Sequence, residues 1–565
     1  FIKRCYGLAA DDGKIAMIHP RTFMFIKTFE EVRKFILDKT HINVFVDYSL
    51  SNLFGAIMVD PAFYVLEKNT KRNKDAWFVS LDQYTRTPNE KYKKDYCLQA
   101  LDDYIAGVEN EHNYSIPQSK LKIIKSWPFI YWISDEFREK FGADSLDKYF
   151  NIKNGLQTGN NDRYLRFWWE IVADKVHYDD SNKWMLYGKG GPHNKWFGNL
   201  WTTVNVLETN SSCTSKGYYR EGVNFSGSSS KGTSFRYMPK GNIFDNDSPL
   251  IFPKEYFDIN YLLGFINTKL VSYIISCLNP TVKTQVGDIK RVPFTLPPNP
   301  HESIVSNLSK INAQIKTLVC KYSIVELDFV ASPYKGNGSL KTFLNFENHI
   351  LTQDLINEAI INEKIFEVYE LTEHDRNMVL AKEGENIGGL PVIQEARVTY
   401  LVEGETIKEF TLDNIKGFIE SLPVKEFSAE EREMIESEFP SLYQNNNDLE
   451  EFCIRHQINP INVWYWFKQS NVIPKQCMNM LAFEFLVNMI REILMEDEDG
   501  IIPLVSNAGE KVLLDRLEDK FREKGFTMAQ YSGFDTMLGR PLDEYINKYF
   551  FVELSNHLNL FMYLP

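Results

Sequence analysis

Three prolines within four positions, in Leu296-Pro297-Pro298-Asn299-Pro300, cannot lie inside a helix or a central strand, so this stretch reads as a linker dividing the chain. Its two sides differ in kind. Residues 1–300 carry 39 Lys and Arg against 33 Asp and Glu, a balance of +6, whereas residues 301–565 carry 24 against 43, a balance of −19. The net charge of −13 taken alone argues against a nucleic-acid partner, because phosphates must be neutralised. The asymmetry relocates that question to the first side. From Lys183 to Gly241 the basic residues are Lys183, Lys189, Lys195, Lys216, Arg220, Lys231, Arg236 and Lys240, opposed only by Glu208 and Glu221.

The 565 residues suffice for three or four domains, and 44% hydrophobic with 25% charged residues is a globular composition. No apolar run reaches the ~20 residues that span a bilayer; the best, Leu262 to Leu278, is interrupted by Asn267 and Lys269. The chain opens Phe1-Ile2-Lys3-Arg4, without Met and without a basic-then-apolar leader, in what reads as the middle of a folded domain of a longer protein. Seven scattered cysteines, none in a Cys-x-x-Cys pair, give neither a disulfide framework nor a metal site, and a cytoplasmic location is expected.

Phe1 to Leu8 suits the end of a helix, and Ile15 to Ile18 a buried strand stopped by Pro20. Thr28 and Glu31 have capping-box spacing for a helix running to Lys39, and Ile42 to Val46 and Ala62 to Leu66 are two more strands. Strand, helix, strand, strand is how a doubly wound sheet finishes. Residues 76–125 are polar and charge-mixed and read as a connecting spacer. Residues 126–298 form an aromatic, Gly-rich and locally basic block containing the loop Ser226 to Gly232. Residues 299–565 read as helical and acidic, with a helix from Ile304 to Cys320 and another capped by Ser428 and Glu431.

Four stretches point to chemistry. Asp12 to Met24 makes a turn, a strand and a proline stop, common in α/β proteins. In Leu53-Phe54-Gly55-Ala56-Ile57-Met58-Val59, an aromatic precedes a strand; Phe54 either packs under the sheet or offers its face to a base out of its stack. Ser126 to Trp132 leads into Gly155-Leu156-Gln157-Thr158-Gly159-Asn160-Asn161-Asp162-Arg163-Tyr164-Leu165-Arg166-Phe167-Trp168-Trp169. Two glycines and a Thr at that spacing permit a tight loop whose N–H groups can face a phosphate, with Arg163 and Arg166 beside it. Leu250 to Pro253, the Leu262 to Leu278 helix, Asn279-Pro280 and Gln285 to Pro293 close the block.

Together these stretches resemble the PglX family, adenine-specific DNA methyltransferases of BREX (bacteriophage exclusion) phage defence. Residues 365–372, 388–392 and 497–504 look like that family's helical extension. The resemblance implies a fold of α/β type at the N-terminus, the end of a Rossmann-like methyltransferase sheet (1–75). A mixed α+β target-recognition domain (126–298) and a mainly helical C-terminal extension (299–565) follow. It implies double-stranded DNA as partner, bound by Thr158, Gly159, Asn161, Arg163, Arg166, Lys189, Lys231 and Arg236, and Phe54 stacking on the flipped adenine. S-adenosylmethionine is the implied methyl donor, with no metal. The family's Gly-rich cofactor loop and Asn-Pro-Pro-Tyr turn have no counterpart: Asn279, Asn299 and Asn459 precede single prolines without Pro-Tyr following. The chain is therefore expected to hold no catalytic or cofactor residue, and its acidic extension to dock other defence proteins. A restriction–modification fusion and a specificity-subunit-like DNA reader without catalysis are the rival readings.

Overall fold

The computed structural model describes residues 1–49, 51–54, 57–68, 74–84, 87–171, 176–177, 184–209, 219–228, 231–281, 283–405, 407, 413–443, 448–506 and 509–558. The chain forms two compact units. One comprises Phe1–Phe150, Tyr273–Leu296 and Leu371–Asp375; the other comprises Asn151–Ser272, Pro297–Glu370 and Arg376–Pro565. The architecture is mixed α/β with a mostly helical C-terminal half.

In the first unit, β1 (Lys14–Pro20), β2 (His41–Asp47), β3 (Ser51–Phe54), β4 (Ile57–Val59), β5 (Pro61–Glu67), β6 (Ala76–Ser80) and β7 (Asn113–Ile116) follow in sequence. Five of them form one sheet in the order β1-β5-β2-β6-β7, while β3 and β4 make a separate hairpin. β5 lies antiparallel to both β1 and β2, and β6 runs parallel to β2. β-branched and aromatic residues favour this pleated, half-buried setting: Ile42, Phe45, Tyr64, Leu66 and Phe78 are all buried. Phe45 stacks on Tyr64 at 5.3 Å, and Phe129 meets Phe45 edge-on at 5.7 Å.

The stretch expected as a spacer belongs to this sheet. Trp77, Phe78 and Val79 are buried in β6, and Ile116 in β7; flanking charges give that short apolar run the average composition of a linker. Ser126 to Trp132 likewise joins the first unit. Phe129 N–H bonds Met24 O at 2.9 Å, and Tyr131 stacks on Phe78 at 4.4 Å. Arg33 fixes that crossing, donating to Phe23 O, Ile26 O and Ser126 O. The helix at 30 also starts differently. Lys27–Phe29 is a 3-10 turn and the helix spans Glu30–Lys39 behind Phe29, which supplies no side-chain cap. Residues 285–293 fold back here too, through Leu146 N–H to Val292 O (2.8 Å) and Phe294 N–H to Asp144 O (2.6 Å).

The second unit opens with short strands: β8 (Phe150–Lys153), β9 (Leu165–Phe167), β10 (Val176–His177), β11 (Trp184–Gly188), β12 (Thr202–Asn205), β13 (Gly222–Phe225), β14 (Phe235–Met238), β15 (Ile243–Phe244) and β16 (Leu250–Pro253). They make two sheets, β10-β11-β12-β9 with β15 on β11, and β14-β13-β16-β8. Met185, Tyr187, Val204, Met238 and Phe252 lie in the core here. The expected helix at 262–278 is two helices, Ile259–Ile266 and Lys269–Leu278, bent by 65°. Asn267 at the break exchanges hydrogen bonds with the backbone of Phe235 at 3.0 and 3.1 Å, and that exchange fits a chain turning away from a continuous helix. Among the described residues no single helix is long and apolar enough to cross a membrane.

The proline stretch is no free linker: helix Asn299–Cys320 begins inside it, with proline in its first turn, where the absent N–H is an orphan donor anyway. It packs on Ile259–Ile266, where a Cβ on Gly264 would sit 2.2 Å from Ser309 Oγ. It also packs on the 32-residue helix Asn337–Val368, about 48 Å long. Buried amides lock that pair: Asn357 donates to Asn312 at 2.7 Å, and Gln353 to Asn357 at 2.7 Å. Ser428 and Glu431 form both bonds of the expected capping box.

Candidate functional site

The second unit's sheet region holds a polar cleft of about 560 Å³. Gln157–Gly159 and Asn161 line one side, and Lys189–Gly191, Ser226–Ser228 and Asp245–Asp247 the rest. Four loops far apart in sequence therefore meet on the stretch that stood out as a motif.

Each glycine of that motif has its own reason. A Cβ on Gly155 would fall 1.8 Å from Phe244 O, so only glycine lets the chain pass there. Gly159 has φ +73° with open space around it, a left-handed turn position. The N–H groups expected to face a phosphate are partly committed elsewhere: Gly155 donates to Asp245 O (3.2 Å) and Leu156 to Phe244 O (2.8 Å). Thr158 Oγ1 donates to Asn161 Oδ1 at 2.6 Å, and Asn160 caps the short helix Asn161–Tyr164 by accepting from Arg163 N–H at 3.0 Å. Arg163 is exposed, its guanidinium 5.2 Å from the Tyr164 ring. Arg166 is half-buried and donates to Asp162 O at 2.8 Å. Thr158, Gly159 and Asn161 thus line the cleft, whereas Arg163, on the short helix, and Arg166, on β9, follow on the same segment outside that lining.

The other expected DNA-binding residues are placed differently. Lys189 lines the cleft but is 7% exposed, with its ammonium 2.7 Å from Asp245 Oδ2. Arg236 is 2% exposed and donates to Asn224 Oδ1 and Ser226 Oγ, each at 3.1 Å. Burial pushes its pKa down to about 10. Both cations hold cleft loops from beneath, Lys189 through Asp245 and Arg236 through Ser226. Lys231 points to the helical half and pairs with Glu451. Phe54 ends β3, and its side chain lies outside the described residues, as do Lys183 and Lys216.

Lys195 joins Lys231 in that direction. Its ammonium lies 2.9 Å from Glu358 and 3.6 Å from Glu450, and the Trp196 indole N–H also donates to Glu358 at 2.9 Å. A second cleft, about 290 Å³, opens at this contact between His193, Lys195, Lys231, Lys316, Asp354 and Glu450. Burial, reinforced by Lys195, pushes His193 down to about 4, and Lys195 holds Glu450 below the usual carboxylate range. Part of the local basic excess therefore meets the acidic extension within the unit.

Sequence reasoning missed Gly190, Gly191, Ser228, Asn246 and Asp247 as cleft residues. The signal was present in Lys189-Gly190-Gly191-Pro192 and Ser226-Gly227-Ser228, small polar runs directly after strands. The three Asn-Pro steps have structural work. Asn279 donates to Asp288 Oδ2 (2.7 Å) and Lys283 O (2.9 Å), Asn299 opens a helix, and buried Asn459 donates to Gly388 O and Leu390 O. The Asn279 and Asn459 amides are thus committed within the fold, and these two residues do not fit a methyl-transfer centre. Among the described residues no group of three or more His, Cys, Asp or Glu could hold a metal ion.

The Eco57I restriction-modification methylase family model matches residues 1–54. Adenine-specific methyltransferase PglX of Lacticaseibacillus casei (strain Zhang) is 23% identical over 342 residues, 54% of this chain and 28% of that protein. Adenine-specific methyltransferase BrxX of Escherichia coli O9:H4 (strain HS) is 25% identical over 405 residues, 67% and 32% respectively. The chain thus spans about a third or less of these curated relatives. Among solved structures, the Type IIL restriction-modification enzyme MmeI in complex with DNA has a TM-score of 0.37 at 9% identity, covering 66% of this chain and 50% of that one. The type IIG restriction endonuclease BpuSI has a TM-score of 0.23 at 11% identity, covering 65% and 48%. The homologues are adenine-specific methyltransferases, and the resemblance read from the motifs is borne out.

Proposed function

We propose that this chain is the DNA-reading and C-terminal region of a site-specific adenine-N6 DNA methyltransferase that marks host DNA in phage defence. The observation that carries the reading is the cleft of about 560 Å³ in which the Gly155–Arg166 motif meets three polar loops. In this reading Thr158 and Asn161 in the cleft meet base edges, and Arg163 and Arg166, just beyond it on the same segment, meet phosphates or guanine edges. Lys189 and Arg236 keep the loops in place from below. S-adenosylmethionine supplies the methyl group, and residues outside this chain hold it. In this reading β1, β2 and β5 end the methyltransferase sheet, with the reversed β5 between two parallel strands, and Phe54 stacks on the extruded adenine. The acidic extension acts as scaffold to the reading block, with other defence proteins as its further partners in the cytoplasm.

Binding of sheared, unmethylated genomic duplex DNA across a salt series tests the reading. The double substitution Arg163→Ala/Arg166→Ala is expected to weaken binding and flatten the slope of log K against log salt by about 2. An unchanged slope would place the DNA surface elsewhere.

The match of residues 1–54 to a restriction-modification methylase family favours a second reading, the modification half of a fused restriction enzyme. DNA cleavage by the full-length protein with S-adenosylmethionine and Mg²⁺ would decide for it; methylation without cleavage decides against.

A further inference from the structure

We infer that Arg21 is a positioning residue: its side chain clamps the base of the β3–β4 hairpin where the chain leaves β2, and so sets where Phe54 stands. The inference rests on the reading of Phe54 as the residue that stacks on the flipped base.

The chain leaves β2 at Asp47 and re-enters the sheet at Pro61, and the hairpin lies between. Arg21, directly after β1, grips the exit with its side chain, and its backbone extends the β1–β5 ladder to the return. Its Nη2 lies 3.0 Å from Asp47 Oδ2, and its Nη1 donates to Ser49 Oγ at 2.6 Å. Its backbone N–H donates to Asp60 O at 2.6 Å. A third anchor comes from beyond the hairpin: Asp82 Oδ1 accepts from Arg21 Nη1 at 2.9 Å and from Ser49 Oγ at 2.8 Å. Asp47 O accepts from Leu81 N–H at 3.1 Å, and the Tyr131 hydroxyl lies 3.4 Å from Asp47 Oδ2.

Two features set this cluster apart from an ordinary ion pair. Ser49 holds φ +60°, a left-handed conformation that a non-glycine keeps only where its surroundings impose it. The Arg21 and Asp47 side chains are 7% and 1% exposed, so the fork is fixed in a dry setting rather than averaged over rotamers. Beyond the clamp, the hairpin's backbone pairing is short: Ser51 faces Val59 and Phe54 faces Ile57, with an irregularity between. Two strands of four and three residues are marginal alone, and the clamp lies at their base.

The test uses the full-length protein. Hydrogen–deuterium exchange of peptides covering residues 51–59 is compared with those covering β5 and β6, and methylation of unmethylated genomic DNA is followed with labelled S-adenosylmethionine. Arg21→Lys, which cannot hold the fork, and the milder Asp82→Asn, at a partly exposed group, are the variants. Each is expected to speed exchange in 51–59, at least tenfold for Arg21→Lys, with β5 and β6 unchanged. For Arg21→Lys kcat should fall ten- to a hundredfold while KM for DNA stays within about twofold. Unchanged hairpin exchange in both variants would overturn the clamp. Faster exchange across β5 and β6 in both would reduce it to general stability, and faster hairpin exchange with unaltered kcat would remove the positioning role. Phe54→Ala separates the two ideas. Low kcat with unchanged exchange supports both, whereas full activity in Phe54→Ala defeats the stacking reading whatever Arg21→Lys does to exchange.

Discussion

Glu358 joins the acidic helical half to the basic block, and its removal has a cost that can be worked out. Its carboxylate accepts from Lys195 and from the Trp196 indole, each at 2.9 Å, with its side chain 14% exposed. Hydrogen bonds to charged groups contribute about 1.5–3 kcal/mol each, and the low exposure keeps solvent from taking over either partner. Lys195 keeps Glu450 at 3.6 Å, which recovers some of the loss. Glu358→Ala is therefore expected to cost about 3 kcal/mol, and Glu358→Gln, which still accepts from Trp196, about half that. A double-mutant cycle with Lys195→Ala should give a coupling of about 1–2 kcal/mol. Urea unfolding followed by tryptophan fluorescence reports it, since Trp196 sits at the contact. Because the pair is largely buried, 1 M NaCl should remove only a minor part of the coupling. A coupling below about 0.3 kcal/mol, or one that disappears in salt, would show that the two halves do not meet through this pair.

Two further substitutions probe the second unit. Gly155→Ala should lower the thermal midpoint and displace the motif loop, at a cost of about 3 kcal/mol or more, because the new Cβ would meet Phe244 O at 1.8 Å; a wild-type melting curve would refute the close approach. Glu484, in the core of helix Lys475–Glu496, is pushed up to about 8 by burial. The folded state therefore binds its proton more tightly than the unfolded one, and this contribution is complete below about pH 4.5 and lost as pH rises to about 8. Glu484→Gln should gain stability over the wild type on going from pH 5 to pH 8.5, on the order of 4 kcal/mol; an equal difference at both pH values would mean a solvated carboxyl.

What could be read from the sequence was whatever neighbours decide. β1, β2 and β5 stood out because β-branched and aromatic runs end at turns or prolines, and Ser428 caps through a partner three residues on. What escaped was decided at long range. Gly155 was recognisable as a glycine, but the carbonyl that requires it lies on Phe244. Lys189 and Arg236 looked like surface charge because their partners come from other strands and loops: Asp245 lies 56 residues from Lys189, and Asn224 faces Arg236 across the β13–β14 pair. Trp77-Phe78-Val79 was hidden by the charges around it, and the break at Asn267 by a partner on another strand, Phe235. Thr158, Gly159 and Asn161 were legible together because they lie within four residues of one another, and the same short stretch reaches the cleft.

The first unit is stitched from separated stretches, and this matters for synthesis. After Phe150 leaves it, about 120 residues are made before Tyr273 returns. At ribosomal rates of about 5–20 residues per second that interval is on the order of 10 s. Throughout it, Leu146 N–H and Asp144 O wait for Val292 and Phe294, with the apolar face around Leu146 unsealed. The nascent chain thus passes through a period in which its first fold is unfinished while its second is forming, and chaperone demand should concentrate in that window. Grafting a different segment between Phe150 and Tyr273 would inherit the same timing, so a slow-folding insert should fail by aggregation.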